Sequence, residues 1–129
     1  MKTKPLTLFC LLILFGGVSY SQVKEHTVQQ RVKASMNKIT VPLQLDVSQL
    51  SRVDSAFAEY YEAQYEILSE SKANGIRSDY TIFEKILDQR DAKLKKILTP
   101  GQYLKFKNEV EESLRPQIKN HDGNEFSFF

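Results

Sequence analysis

The stretch LDVSQLSRVDSAFAEYYEAQYEILSESKANG, residues 45–75, decides the fold. Set at 100° per residue from Leu50, the side chains of Val53, Phe57, Tyr60, Tyr61, Gln64 and Leu68 share one face. Tyr65 and Ile67 mark its edges, so the apolar arc is about 160° wide. Glu59, Glu62, Glu66 and Glu70 fall on the opposite side. Asn74-Gly75 supplies the stop, since both residues tolerate the left-handed conformation that follows a helix. The pattern predicts a helix over 47–73, about 40 Å long at 1.5 Å per residue.

Outward from it, Phe83, Ile86, Leu87, Leu94, Ile97 and Leu98 predict a second helix from Ser78 or Asp79 to about Ile97, with Arg90 projecting into the middle of its stripe. A last helix opens at Pro100, carries Tyr103, Phe106, Val110 and Leu114 on a narrower seam, and ends or kinks at Pro116, which lacks an amide proton. Toward the N-terminus, residues 22–40 are polar, with a weak rhythm at Val28, Val32 and Met36. A short amphipathic helix and a mobile arm both explain that rhythm. Ile39, Val41, Leu43 and Leu45 alternate with polar residues and Pro42, which points to an extended linker crossing an apolar surface. The expected architecture is all-α, with three to four helices in a thin, hairpin-like antiparallel arrangement. An arm or short helix over 22–44 precedes the domain of 45–118, and a flexible, turn-rich tail of 119–129 ends in Phe126, Phe128 and Phe129.

Composition bounds the remainder. The 129 residues are 41% hydrophobic and 26% charged, which suits one small domain. The apolar run from Pro5 to Val18 is too short to span a bilayer. With Lys2 and Lys4 before it and Ser19 and Ser21 behind it, the run reads as a signal peptide, residues 1–21, cleaved before Gln22. The mature chain then keeps 108 of the 129 residues and, without Lys2 and Lys4, balances 16 basic against 16 acidic side chains. General attraction to nucleic acid or an anionic membrane is unsupported. Cys10 leaves with the leader, so disulfides and thiolate metal sites are excluded from the mature protein.

Leu45-Asp46-Val47-Ser48-Gln49 and Leu98-Thr99-Pro100-Gly101-Gln102 align without gaps, and the match continues as Leu50 with Tyr103, Val53 with Phe106, Phe57 with Val110 and Tyr61 with Leu114. Each pentapeptide reads as a helix start. Asp46 and Thr99 are N-cap residues whose oxygens accept from first-turn amides. Gln49 and Gln102, three residues on, reach back to the cap's own N–H and complete a capping box. Leu45 and Leu98 occupy staple positions, and Pro100 sits where a missing N–H costs nothing.

These duplicated motifs in an exported helical chain resemble the LTxxQ family of periplasmic proteins, which includes the Spy chaperone and the CpxP stress regulator. Leu98–Gln102 fits the pattern in full, while Leu45–Gln49 carries Asp46 in the Thr position. The likeness covers roughly residues 43–115. It implies a thin, curved helical dimer in the periplasm whose concave face binds unfolded or partly folded proteins without ATP. It also implies an alternative, a regulator of an envelope-stress or metal-response system that binds a sensor-kinase domain.

The residues themselves offer little to catalysis. Both histidines, His26 and His121, lie outside the motif-bearing helices, and no phosphate loop or nucleophile elbow is present. Tight transition-metal binding would need clustered imidazoles or thiolates, so neither a metal nor a cofactor is expected. The glutamate stripe reads as a solvated face. Phe57, Tyr60, Tyr61, Tyr65, Leu68 and Arg90 form the candidate surface for a client or a dimer partner, with a three-helix core as the competing use of the same arc. A small core without disulfides and one overlong helix favour a homodimer packed through that helix. Charge is segregated, with five acidic residues and no basic ones over 54–70 and seven basic residues over 85–107. Arg90 either lays its stem on apolar surface with its head in water or pairs with a carboxylate such as Asp54.

Overall fold

The computed structural model describes residues 19–75, 79–115, 117–119 and 125–127. The described residues are helical apart from short connections and one minimal hairpin. Its helices are α1 (Tyr20–Leu43), α2 (Val47–Asn74), α3 (Tyr80–Ile97), α4 (Pro100–Lys105) and α5 (Glu111–Leu114), with a π-helical turn at Phe106–Val110 that joins the last two into one rod. Two three-residue strands follow, β1 (Gln117–Lys119) and β2 (Glu125–Ser127), paired antiparallel with Ile118 opposite Phe126. Most of the expected signal peptide and the rest of the tail lie outside the described residues. The last residues of that leader, from Ser19, open the first turn of α1, where Ser19 N–H donates to Gln22 Oε1.

Over the N-terminal region the helical alternative holds, as a 24-residue helix that also takes in most of the stretch read as an extended linker and contributes Val32, Ile39 and Leu43 to the core. The apolar residues that matter are Val28, Val32, Met36, Ile39 and Leu43, at helical spacing. The apparent alternation arose from Val41, which is 78% exposed, and from Leu45, which belongs to the next motif. Pro42 lies in the last turn of α1, where it removes one i→i−4 hydrogen bond, and the helix ends one residue later. The chain then turns at Gln44 in the left-handed region (φ 51°) and starts α2 at once.

α2 and α3 follow the sequence closely. Asp46 accepts from Gln49 N–H at 2.8 Å, and Gly75 ends α2 with φ 63°, where a side chain would be strained. Asp79 caps α3 by accepting from Thr81 N–H at 3.0 Å. The last rod ends at Leu114, and Arg115 is already extended, as a residue before proline must be. Its π-helical turn had no counterpart in the pattern. There Glu111 N–H donates to Phe106 O, an i→i+5 bond that admits one extra residue per turn.

Side-chain contacts fix how the rods meet. Lys24, early in α1, pairs with Glu62 and Glu66, late in α2. Lys93 of α3 pairs with Glu59 of α2, and Lys107 of the last rod with Asp91 of α3. Lys38 Nζ donates to Ser113 O at 2.6 Å, which brings the last rod back against α1. One core results, centred on Phe57, Phe106, Ile39, Leu94 and Val53.

Candidate functional site

At the closed end the two pentapeptides meet. Gln49 Nε2 donates to Gln102 Oε1 at 2.7 Å and to Ile97 O at 3.3 Å. Gln102 Nε2 donates to Gln49 Oε1 at 3.2 Å and to Leu43 O at 2.9 Å. Each Oε1 also accepts from its own cap, Asp46 N–H at 3.1 Å and Thr99 N–H at 3.0 Å. Every donor and acceptor of both amides is therefore used. Leu43 and Ile97 are the last residues of α1 and α3, whose carbonyls have no partner within their own helices. Each motif thus opens its own helix and closes the helix that precedes the other motif. Leu98 is buried and Leu45 half-buried against the core, while Thr99 accepts from Gln102 N–H at 3.2 Å and Pro100 takes the first helical position.

In the middle of the molecule stands Arg90. It is 4% exposed, so its head does not reach water, and its guanidinium lies 4.9 Å from the Tyr60 ring, 5.3 Å from Phe106 and 5.5 Å from Phe57. Asp54 is not its partner. Arg90 Nη2 donates to Asp91 Oδ1 at 2.7 Å and to Glu111 Oε1 at 2.6 Å. Lys107 Nζ bridges the same carboxylates, at 2.7 Å from Asp91 Oδ2 and 2.8 Å from Glu111 Oε1. Two cations and two anions close a neutral network between α3 and the last rod. Burial alone would lower the Lys107 ammonium, but the hydrogen bonds to Asp91 and Glu111 outweigh it and hold its pKa above the ordinary lysine value. Burial pushes the Tyr60 phenol up, against the pull of Arg90.

The Arg90 partners escaped the sequence reading for a simple reason. Glu111 lies 21 residues away and enters only through the π-helical turn, and Asp91 is a neighbour whose direction a helical wheel does not favour. Lys107 and Glu111 at i,i+4 were the single available signal.

The aromatic arc of α2 divides. Phe57 is fully buried, with its ring 6.3 Å from Phe106 in an edge-to-face contact and 6.1 Å from Tyr61. Tyr61 is buried too, its hydroxyl 2.6 Å from Ser35 Oγ. Tyr60 is half-buried and accepts from Gln64 Nε2 at 2.7 Å. These three and Arg90 are core, so the surface expected of Phe57, Tyr61 and Arg90 is not there. Beyond them Tyr65 is half-buried and Leu68 is 47% exposed, although Leu68 stands at the centre of the same arc as Phe57. Tyr80 and Ile82 at the start of α3 are exposed as well. The surface that remains is thus the distal half of the arc, where the last rod no longer covers it.

Among the described residues no three His, Cys, Asp or Glu side chains gather to hold a metal ion, and no helix is long and apolar enough to cross a membrane. Glu59, Glu62 and Glu66 are taken up by Lys93 and Lys24, whose ammonium the two glutamates hold above its ordinary pKa. No family model, curated protein or solved structure matches this chain.

Proposed function

We propose that this chain is an exported binding protein of the LTxxQ type that holds non-native polypeptides on the distal half of the α2 arc, without ATP, as a homodimer of thin antiparallel helical subunits in the periplasm. One observation carries the reading. The apolar stripe of α2 outruns its cover, with Phe57 sealed and Leu68, on the same face, 47% exposed. Tyr65, Leu68 and, on α3, Tyr80 and Ile82 offer a patchy surface of apolar area with polar tips, suited to loose contact with many chains rather than to one ligand. The closed end also exposes Val41, Val47 and Leu104, but its amides and terminal carbonyls are tied by the glutamine pair.

The test is suppression of aggregation of a chemically denatured client on dilution, without nucleotide. Protection at near-stoichiometric ratio is expected, and Leu68→Asp should weaken it without unfolding the protein. No protection at several-fold excess would remove the reading. A single saturable partner in its place would favour the regulatory alternative. Sedimentation at micromolar concentration tests the dimer separately.

A further inference from the structure

The cut expected before Gln22 falls inside the first turn of α1, and Gln22 is tied to Ser19 there through both its backbone nitrogen and its side chain. Gln22 N–H donates to Ser19 O at 3.0 Å, and Ser19 N–H donates to Gln22 Oε1 at 3.3 Å. Ser19 belongs to the expected leader. Its loss therefore releases the backbone nitrogen and the side-chain carboxamide of one residue in a single step. Gln22 is exposed and stands outside the core.

Those two groups can react with each other. A new α-amine has an ordinary pKa of about 8, so a fair share of it is the neutral nucleophile near neutral pH. The positive end of the α1 dipole lies at the same place and favours the neutral form further. Side chains lean toward the N-terminus of a helix, and the Gln22 carboxamide already reaches back across the first turn to Ser19. Attack by the nitrogen on Cδ of the same residue closes a lactam.

We infer that the mature chain carries pyroglutamate at position 22. The bond from the backbone nitrogen to Cδ forms, the Cδ–Nε2 bond breaks, and Nε2 leaves as ammonia with the proton that the amine gives up. No oxidant, reductant or second substrate is needed. The ring replaces an ammonium by a neutral amide at the start of α1, which removes a cation from the end of the helix where the dipole opposes it. It also leaves no free amine for an aminopeptidase. The inference goes beyond client holding and rests on one part of the proposed function, export with cleavage before Gln22.

The full chain is produced with its leader in a Gram-negative host and recovered from the periplasm, and its intact mass and N-terminal sequence are read. The expected mass is that of residues 22–129 less one ammonia. Edman degradation is expected to find a blocked end, and pyroglutamyl peptidase to open it at Val23. Gln22→Ala, which removes the carboxamide, should sequence without deblocking. The full mass of residues 22–129, with sequence reading from Gln22 after prolonged incubation at neutral pH, overturns the lactam and leaves the export reading standing. A blocked Gln22→Ala protein overturns it too, because the block is then another modification. A retained leader, or a cut elsewhere, removes cleavage before Gln22 and the lactam with it. A lactam on a protein that holds no client supports the inference and removes the client-holding role alone.

Discussion

The side-chain amides of Gln49 and Gln102 form a reciprocal pair, each donating to the other's oxygen and each closing the last turn of a helix from the opposite half of the chain. Two helix starts and two helix ends are held at one point by two side chains. Removing either amide orphans the other and leaves a terminal carbonyl and a cap N–H without their partners.

Gln49→Ala and Gln102→Ala should therefore each cost about 2 kcal/mol, since buried polar groups lose hydrogen bonds without gaining water. The double variant should cost less than the sum, with a coupling of about 1 kcal/mol. Urea denaturation of the four proteins measures both. Additive losses would mean that the two amides act only as separate caps.

Arg90→Lys should destabilise although the charge is kept. A lysine cannot stack a planar group among Phe57, Tyr60 and Phe106 while also donating to Asp91 and Glu111. Arg90→Ala should lose about 3–5 kcal/mol, because Lys107 alone then faces two carboxylates at the rim of a cavity. Denaturation midpoints separate the two variants.

The two halves of the α2 arc should respond unequally to truncation. Phe57→Ala opens a void in the sealed core and should cost about 3–5 kcal/mol. Leu68→Ala, on the same helical face, should change stability by less than about 1 kcal/mol. Equal losses would show that the distal stripe is covered in solution.

Asp46 makes one helix start sensitive to acid where Thr99 does not. The Ser48 hydroxyl and the Gln49 N–H hold the Asp46 carboxyl below the ordinary carboxylate value. A group whose pKa is lower in the folded state stabilises above its unfolded pKa, and that contribution is lost as pH falls through the folded value. Asp46→Thr keeps the cap and removes the titration. Its urea midpoint should match the parent's near neutrality and fall less between pH 5 and pH 2.

The hydroxyl pair of Ser35 and Tyr61 ties α1 to α2 inside the core. Ser35→Ala should cost about 1–2 kcal/mol by stranding the phenol, and adding Tyr61→Phe should recover part of it. Thermal unfolding of the three variants checks the order.

What the sequence determined on its own is local. Helix starts at Asp46 and Thr99, stops at Asn74-Gly75 and before Pro116, and the phase of the α2 stripe are decided by residues within one or two turns of each other, so they can be read in order along the chain. α1 was local too, in its i,i+4 ladder from Val28 to Leu43, but Pro42 and the exposed Val41 masked it. What only the tertiary structure decided is which faces are covered. The glutamine pair joins positions 53 residues apart, and Arg90 reaches Glu111 across a π-helical turn that no periodicity announces. Phe57 and Leu68 sit on one stripe and look alike in sequence, yet one is sealed and the other open. The length of a neighbouring rod sets that difference, because burial is a property of what packs above a residue and not of the residue's own phase.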